Sequence, residues 1–420
     1  MPSKLHHLNE LERILTDKEK TNQVLLAFYK QFKVSRLLKP FDLIKSKGFL
    51  ISTLIFILCV CRLRGFNVWT MQRSGYFGIF KGDENTLYRL LNNPLMDWRK
   101  LLMSFAKQFS IISKTHGDFN SHVKAFVLDD TDLIKTGKTI EFIGRIFSHV
   151  THSYPLGFKM LTLGFWDGKS LIATDFSLHS EKGKSGKCGL SKKEQNNQFS
   201  KKRDKSAPST KRVRELNEQK TKTAVSMVKR AVKNGFMASY VLMDSWFTND
   251  YIIKSIRTIK NGAMHVLGMC KIDKRQYDVN GKTMNSHQII VRNERKNSKY
   301  SRKHKSSYIT IVADYKGEKV KLFYIRYHNA KTWKLILSTD LTLNFTKVIE
   351  LYQIRWTIEV LFKECKQYLR LGACQNTDFD GQIADTTIAL ITHTILTLQR
   401  RFEAYETMGE FFRETHPHLL

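Results

Sequence analysis

What the chain lacks narrows the field first. Acidic residues are scarce: 38 Asp and Glu stand against 70 Lys and Arg, a formal charge of +32 over 420 residues. So large an excess points to nucleic acid or an anionic membrane before any other partner. Long apolar runs are missing too. The longest, Phe49 to Cys61, is too short to span a bilayer and reads as a buried helix. The first twenty residues are polar and charged, so no signal peptide is expected. The six cysteines form no CxxC pair, and Cys59 and Cys61 sit inside the apolar run. Reduced, buried thiols in a cytoplasmic protein are the expectation. His149 and His152 have no second pair to complete a zinc site and read as structural or surface residues.

What is present is organised around Tyr352-Gln-Ile-Arg-Trp-Thr-Ile-Glu-Val-Leu-Phe-Lys-Glu-Cys-Lys366, which holds neither Gly nor Pro and predicts one helix. At about 100° per residue, Tyr352, Arg355, Glu359 and Lys366 fall on one face. Ile354, Ile358, Leu361, Cys365 and Leu369 form the opposite stripe, which wants a core. A carboxylate can hold a metal ion; Arg, Lys and Tyr can hold phosphate oxygens. The plainer alternative is a solvated amphipathic helix laced by its own ion pairs. The pattern Tyr-x2-Arg-x3-Glu-x6-Lys resembles the signature of bacterial insertion-sequence DDE transposases, the cut-and-paste group with a ribonuclease-H-like core. That resemblance requires two aspartates upstream.

Lys124-Ala-Phe-Val-Leu-Asp-Asp-Thr-Asp132 reads as a short apolar strand running into acids. It matches the family pattern of a strand ending in Asp-x-Ser/Thr at Asp129-Asp130-Thr131. Asp129 is the expected ligand, and Asp130 takes the role if the register differs by one, because one step turns a side chain to the other face. Tyr240-Val-Leu-Met-Asp244-Ser-Trp-Phe247 repeats the arrangement and resembles the second motif, making Asp244 the second ligand. Glu359 would complete the set. Three carboxylates of this kind suit two Mg²⁺ ions, or Mn²⁺, rather than zinc. The resemblance further implies DNA contacts for Tyr352, Arg355, Lys366 and Lys271. It also implies that Trp333, just before an apolar strand, stacks on a base flipped from the cut strand. A core aromatic at the sheet rim is the alternative for Trp333.

Along the chain, residues 1 to about 115 read as helical, with Leu8, Leu11, Ile14 and Leu15 at helical spacing. Asp83 is a candidate cap for the next helix, and Asp97 opens another. These two form either a helix-turn-helix with Asn85, Tyr88 and Arg89 outward, or ordinary bundle helices. Phe158–Phe165 and Ser170–Phe176 predict a hairpin, and 179–212 a mobile basic loop with little to bury. A helix is expected over Val213–Val232, and strands over Gln288–Val291, Tyr308–Asp314 and Val320–Arg326.

The expected fold is therefore α/β, a ribonuclease-H-like mixed sheet with flanking helices, interrupted by a β-rich insertion and preceded by an all-helical domain. The boundaries read as 1–118 for a DNA-end-binding domain, 119–271 with 333–375 for the catalytic core, 272–332 for the insertion and 376–420 for C-terminal helices. The implied function is a DNA transposase, cytoplasmic and nucleoid-associated in a bacterium, with no membrane partner. It would work as a homodimer in a synaptic complex on double-stranded DNA, binding terminal inverted repeats and joining the ends to target DNA. A metal-dependent nuclease or resolvase with the same core, or a non-enzymatic basic DNA-binding protein, are the other readings.

Overall fold

The computed structural model describes residues 26–402, except 28–29, 45–47, 76–83, 116–122 and 182–188, together with residue 408. The expectations for Leu8 to Leu15 and for Asp83 lie outside the described residues.

Among the described residues the named helices that precede the sheet are α1 (Val34–Asp42), α2 (Ile51–Leu63), α3 (Val68–Arg73), α4 (Glu84–Leu91) and α5 (Trp98–Thr115). The apolar run is α2, in which every residue except Arg62 is buried. Asp97 Oδ1 accepts the Lys100 amide at 2.9 Å, satisfying one of the free N–H groups that open α5. Trp98, Leu101, Leu102 and Phe105 of α5 are buried.

Strands β1 (Ala125–Ile134), β2 (Gly144–Arg145), β3 (Leu156–Trp166) and β4 (Leu171–His179) follow. Next come α6 (Lys192–Asn196), α7 (Pro208–Glu215), α8 (Lys220–Lys233), β5 (Tyr240–Met243), α9 (Asp250–Arg257) and β6 (His265–Cys270). β1 does not end at its acids: it runs on through them to Ile134, paired with β3 throughout. The single helix expected over Val213–Val232 is two, α7 and α8.

The remaining elements are β7 (Gln276–Val279), β8 (Lys282–Asn285), α10 (Ser286–Asn297), β9 (Lys299–Ser301), β10 (Ser306–Tyr315), β11 (Glu318–Tyr327) and β12 (Lys334–Ser338), then α11 (Phe345–Gln353), α12 (Trp356–Tyr368) and α13 (Phe379–Phe402). Gln288–Val291, expected as a strand, lies within α10. Asn285 and Gln288 cap that helix reciprocally, and Ile289, Ile290 and Asn293 bury one side of it. So short an apolar run fits either period, and here the cap decides.

The described strands form one twelve-stranded sheet in the order β2-β3-β1-β5-β6-β12-β11-β10-β7-β8, with β4 on β3 and β9 on β10. β1, β5 and β6 run parallel, whereas β3 and β4 are antiparallel to their neighbours. An antiparallel hairpin beside three parallel strands, with helices packed on them, is the ribonuclease-H-like arrangement. Strands β7 to β11 continue the same sheet through β12. α13 packs against α2, α5 and β4 and shares their core.

The basic segment before α7 is not a solvated loop. Arg203 donates to both carboxylate oxygens of Glu141, at 2.7 and 2.5 Å, and to Asp380 at 3.2 Å. Its side chain is only 5% exposed. Lys201 pairs with Asp378 at 2.8 Å and Asp380 at 2.9 Å. These acids come from the start of α13 and the loop after β1, so composition alone could not reveal that the cations are matched. Among the described residues no helix is long and apolar enough to cross a membrane.

Candidate active site

The first two acids are brought together by strand pairing. β1 and β5 lie parallel with Leu128 opposite Met243, so Asp129 and Asp244 are the next residues on neighbouring strands. Adjacent strands stand about 4.8 Å apart. Asp244 follows the last residue of β5, and its Oδ1 accepts the amides of Trp246 at 3.0 Å and Phe247 at 3.2 Å. The Thr248 hydroxyl donates to the Asp244 carbonyl at 2.7 Å and closes the same turn. Gly268 on β6 makes room for it, since a Cβ there would collide with Thr248 Oγ1.

The stretch expected as one helix is two. Ile354, Arg355, Thr357 and Ile358 each donate to the carbonyl three residues back, which tightens the chain between α11 and α12. Arg355 sits at this joint and reaches back to the sheet. Its Nη1 is 2.7 Å from Asp129 Oδ2, and its Nη2 is 2.5 Å from Glu359 Oε1. Ile358, Leu361, Cys365 and Leu369 are buried as the stripe required, while Ile354 at the joint is half-buried.

Electrostatics follow from this crowding. Burial and the adjacent Asp244 carboxylate push Asp129 up to about 7, with Arg355 opposing. Asp244 is raised as well, by burial first, against the two amides that hold it. Burial raises the Tyr352 phenol although Arg355 lies beside it, and Asp244 and Asp129 add to the rise. Tyr352, Arg355, Asp129, Asp244 and Glu359 thus share one locality. Lys366, further along α12, donates to Thr131 Oγ1 at 2.7 Å.

The other candidates are not part of this group, although Asp130 is near enough to add to the rise of Asp129 and Asp244. Asp130 points to the opposite side of β1, where Lys220 Nζ at the start of α8 lies 2.6 Å away. Lys271 is exposed just beyond the end of β6. Trp333 is half-buried where β12 begins, one strand over, with the Arg326 guanidinium 4.7 Å from its ring centre. Two residues went unnoticed in the sequence. Lys220 neutralises Asp130, and Trp246, 46% exposed, lies under the Lys220 ammonium at 4.4 Å. An exposed tryptophan two places after Asp244 was the available signal.

Among the described residues, no three His, Cys, Asp or Glu groups stand close enough to form a finished metal cage. The Arg355 guanidinium lies between Asp129 and Glu359 instead. The donor chemistry nevertheless fits a hard divalent cation: every candidate ligand is a carboxylate oxygen, and burial with the adjacent Asp244 raises Asp129 in spite of Arg355.

Two family models match the chain. One, described as a transposase DDE domain, covers residues 216–395 and so includes Asp244 and Glu359. The other, described as a DDE superfamily endonuclease, covers 78–261 and includes Asp129 and Asp244. None of the curated proteins matches. Enzymes of the DDE superfamily generally use divalent metals. With an acid-bearing ribonuclease-H-like sheet beneath them, the two matches indicate a DDE-superfamily transposase or endonuclease, a nuclease-type enzyme whose partner is DNA.

Proposed function

We propose that this protein is a cut-and-paste DNA transposase that cleaves the ends of an insertion sequence and joins them to target DNA. Asp129, Asp244 and Glu359 are the catalytic carboxylates and the ligands for Mg²⁺ or Mn²⁺. The observation that carries the reading is the side-by-side placement of Asp129 and Asp244 at parallel strand ends, with Glu359 tied to Asp129 through Arg355. Bound there, two divalent ions would activate the attacking oxygen and stabilise the leaving one.

The chain's own residues do the rest. Arg355 shields the carboxylates from one another while DNA is absent, then turns to the phosphate at the cleavage point and frees Glu359. Lys366 and Tyr352 flank that phosphate, and Lys271 holds the backbone further out. In the first step a water oxygen bonds to phosphorus and the bond to the 3′ oxygen breaks, leaving a 3′-hydroxyl. In the joining step that hydroxyl attacks a target phosphate and displaces the target's own 3′ oxygen. Trp333 receives a base flipped out of the strand being cut. Residues 1–118 bind the terminal inverted repeats, with Asn85 and Arg89 on the outward side of α4, and two copies meet across a pair of ends.

The test uses the purified protein with DNA carrying the element's terminal repeat. Asp129→Asn, Asp244→Asn and Glu359→Gln should each abolish cleavage in Mg²⁺ and retain end binding. Activity kept in Asp129→Asn but lost in Asp130→Asn would move the first ligand by one residue. Cleavage surviving all of the substitutions would sink the assignment. A wild-type protein that nicks the ends but never joins them, with nicking lost in all three variants, would favour the nuclease reading.

A further inference from the structure

Strand register places the far part of the sheet relative to the acids. β5 and β6 run parallel, and Asp244 follows the end of β5. β12 is antiparallel to β6, β11 to β12 and β10 to β11. The start of β12, the end of β11 and the start of β10 therefore lie at the same end of the sheet as Asp244. Cys270 stands opposite Leu335, Lys334 opposite Ile325, and Tyr327 opposite Ser306. This end carries cations strand after strand. Lys271 is exposed beyond β6, Lys334 opens β12, and Arg302 and Lys305 are exposed in the turn from β9 to β10.

Nearby acids do not cancel these charges. Residues 271–334 hold 17 Lys and Arg against five carboxylates. Of the five, Asp278, Asp314 and Glu318 sit at the opposite end of the sheet. Asp273 is matched by Arg275 at 3.1 Å, and Glu294 by Arg326 at 2.6 Å. Glu350 of α11 reaches the β9–β10 turn but is taken by Lys303 at 2.8 Å. Lys334 lies 5.7 Å from the centre of the exposed Tyr327 ring. Neither it nor Lys271, Arg302 or Lys305 forms an ion pair among the described residues. The turn is also held in shape. The Lys305 carbonyl accepts the His328 amide at 3.0 Å, and the Tyr308 ring stacks on Phe345 of α11 with centres 3.9 Å apart. Cations on a fixed turn lose little freedom when they bind.

We propose that this end of the sheet is a backbone track for the duplex being cleaved, with Arg302 and Lys305 taking phosphates at its far end. The proposal rests on the reading of Asp129, Asp244 and Glu359 as the cleavage centre, and extends it to a remote contact. The occupant is the cleaved duplex because the row of cations starts beside the acids and continues through β6 and β12 to the turn. From β5 to β10 there are four strand spacings, about 19 Å across the sheet. At about 3.4 Å per base pair this is close to six base pairs. Arg302 and Lys305 thus hold the backbone about half a helical turn or more from the scissile phosphate. Contacts of this kind fix register and carry no sequence information.

The experiment measures binding of the full chain to a duplex carrying the terminal repeat, in chelator so that no strand is cut. Arg302→Ala combined with Lys305→Ala should flatten the slope of log affinity against log salt by about two units. Its melting temperature should match wild type, since both side chains are exposed. Lys316→Ala combined with Lys319→Ala removes the same charge at the opposite end of the β10–β11 hairpin, and should leave the slope unchanged. Ethylating single phosphates maps the contact. Those about six base pairs from the scissile phosphate should weaken wild-type binding when ethylated and have no effect on the Arg302/Lys305 variant. Equal flattening in the two double variants would reduce the track to general positive charge and overturn it. So would the absence of sensitive phosphates at that separation, or a loss confined to target DNA with end binding unchanged. Because no cleavage is measured, failure of the track leaves the three carboxylates untouched. An intact track in a protein that never cleaves in Mg²⁺ would count against the carboxylates alone.

Discussion

Arg355 and Asp129 lie 226 positions apart in the chain, yet Arg355 Nη1 stands 2.7 Å from Asp129 Oδ2. The same guanidinium holds Glu359 at 2.5 Å. One cation therefore bridges an acid of the central strand and an acid of α12, where two carboxylates would otherwise repel. The contact sets what happens when the charges of this group are altered.

Asp129 gives a pH test, carried out in chelator without DNA. Its carboxyl is raised to about 7 in the folded chain from an ordinary 3.8. Below the lower value both folded and unfolded chains carry the proton, and the residue does not affect stability. Between the two values only the folded chain keeps it, so stability falls as pH rises, and the full loss stands above about 7. Asp129→Asn should therefore melt level with wild type at about pH 3.5 and above it at about pH 8. Mg²⁺ added at the higher pH should raise the wild type and leave the variant unmoved. Equal melting curves at both pH values would show that Asp129 is not crowded.

Lys366 forms no ion pair among the described residues; its hydrogen bond is to the neutral Thr131 hydroxyl. Its charge is thus free for a phosphate. In Lys366→Ala the slope of log affinity for cleavage-site DNA against log salt should flatten by about one unit. A slope identical to wild type would mean that Lys366 faces only solvent.

Trp333 can be separated into core and DNA roles by stage of reaction. Its ring is half-buried beneath Arg326, which itself pairs with Glu294 at 2.6 Å. A base stacked on the ring would be worth roughly 1–3 kcal/mol. Trp333→Ala should slow second-strand cleavage by tenfold or more while the first nick is nearly normal, and an abasic nucleotide at the flipped position should partly restore it. A large fall in melting temperature with all steps slowed alike would make Trp333 a core residue.

Arg203 offers a stability measurement far from the chemistry. Its side chain and that of Glu141 are 5% and 2% exposed. Arg203→Met would strand Glu141 without its cation and leave Asp380 to Lys201 alone, so a loss of about 3–5 kcal/mol is expected in denaturant unfolding. A loss below about 1 kcal/mol would show that water reaches the group.

Several features were legible in the sequence because they are local. Apolar runs ending on acids at Asp129 and Asp244 are strand patterns, and the stripe Ile358, Leu361, Cys365 and Leu369 is a helix pattern. Alternation and helical spacing record which side of an element is buried, whatever lies against it. What an element meets depends on packing between distant segments. Only the tertiary structure set Leu128 opposite Met243, which makes Asp129 and Asp244 neighbours and turns Asp130 toward Lys220. Only packing put the tight joint at Arg355 and let one guanidinium span Asp129 and Glu359. The basic segment is the clearest case: Lys201 and Arg203 looked solvated because Glu141, Asp378 and Asp380, which neutralise them, lie sixty to nearly one hundred and eighty positions away. Composition records the charge of a segment, and the fold decides whether that charge is matched.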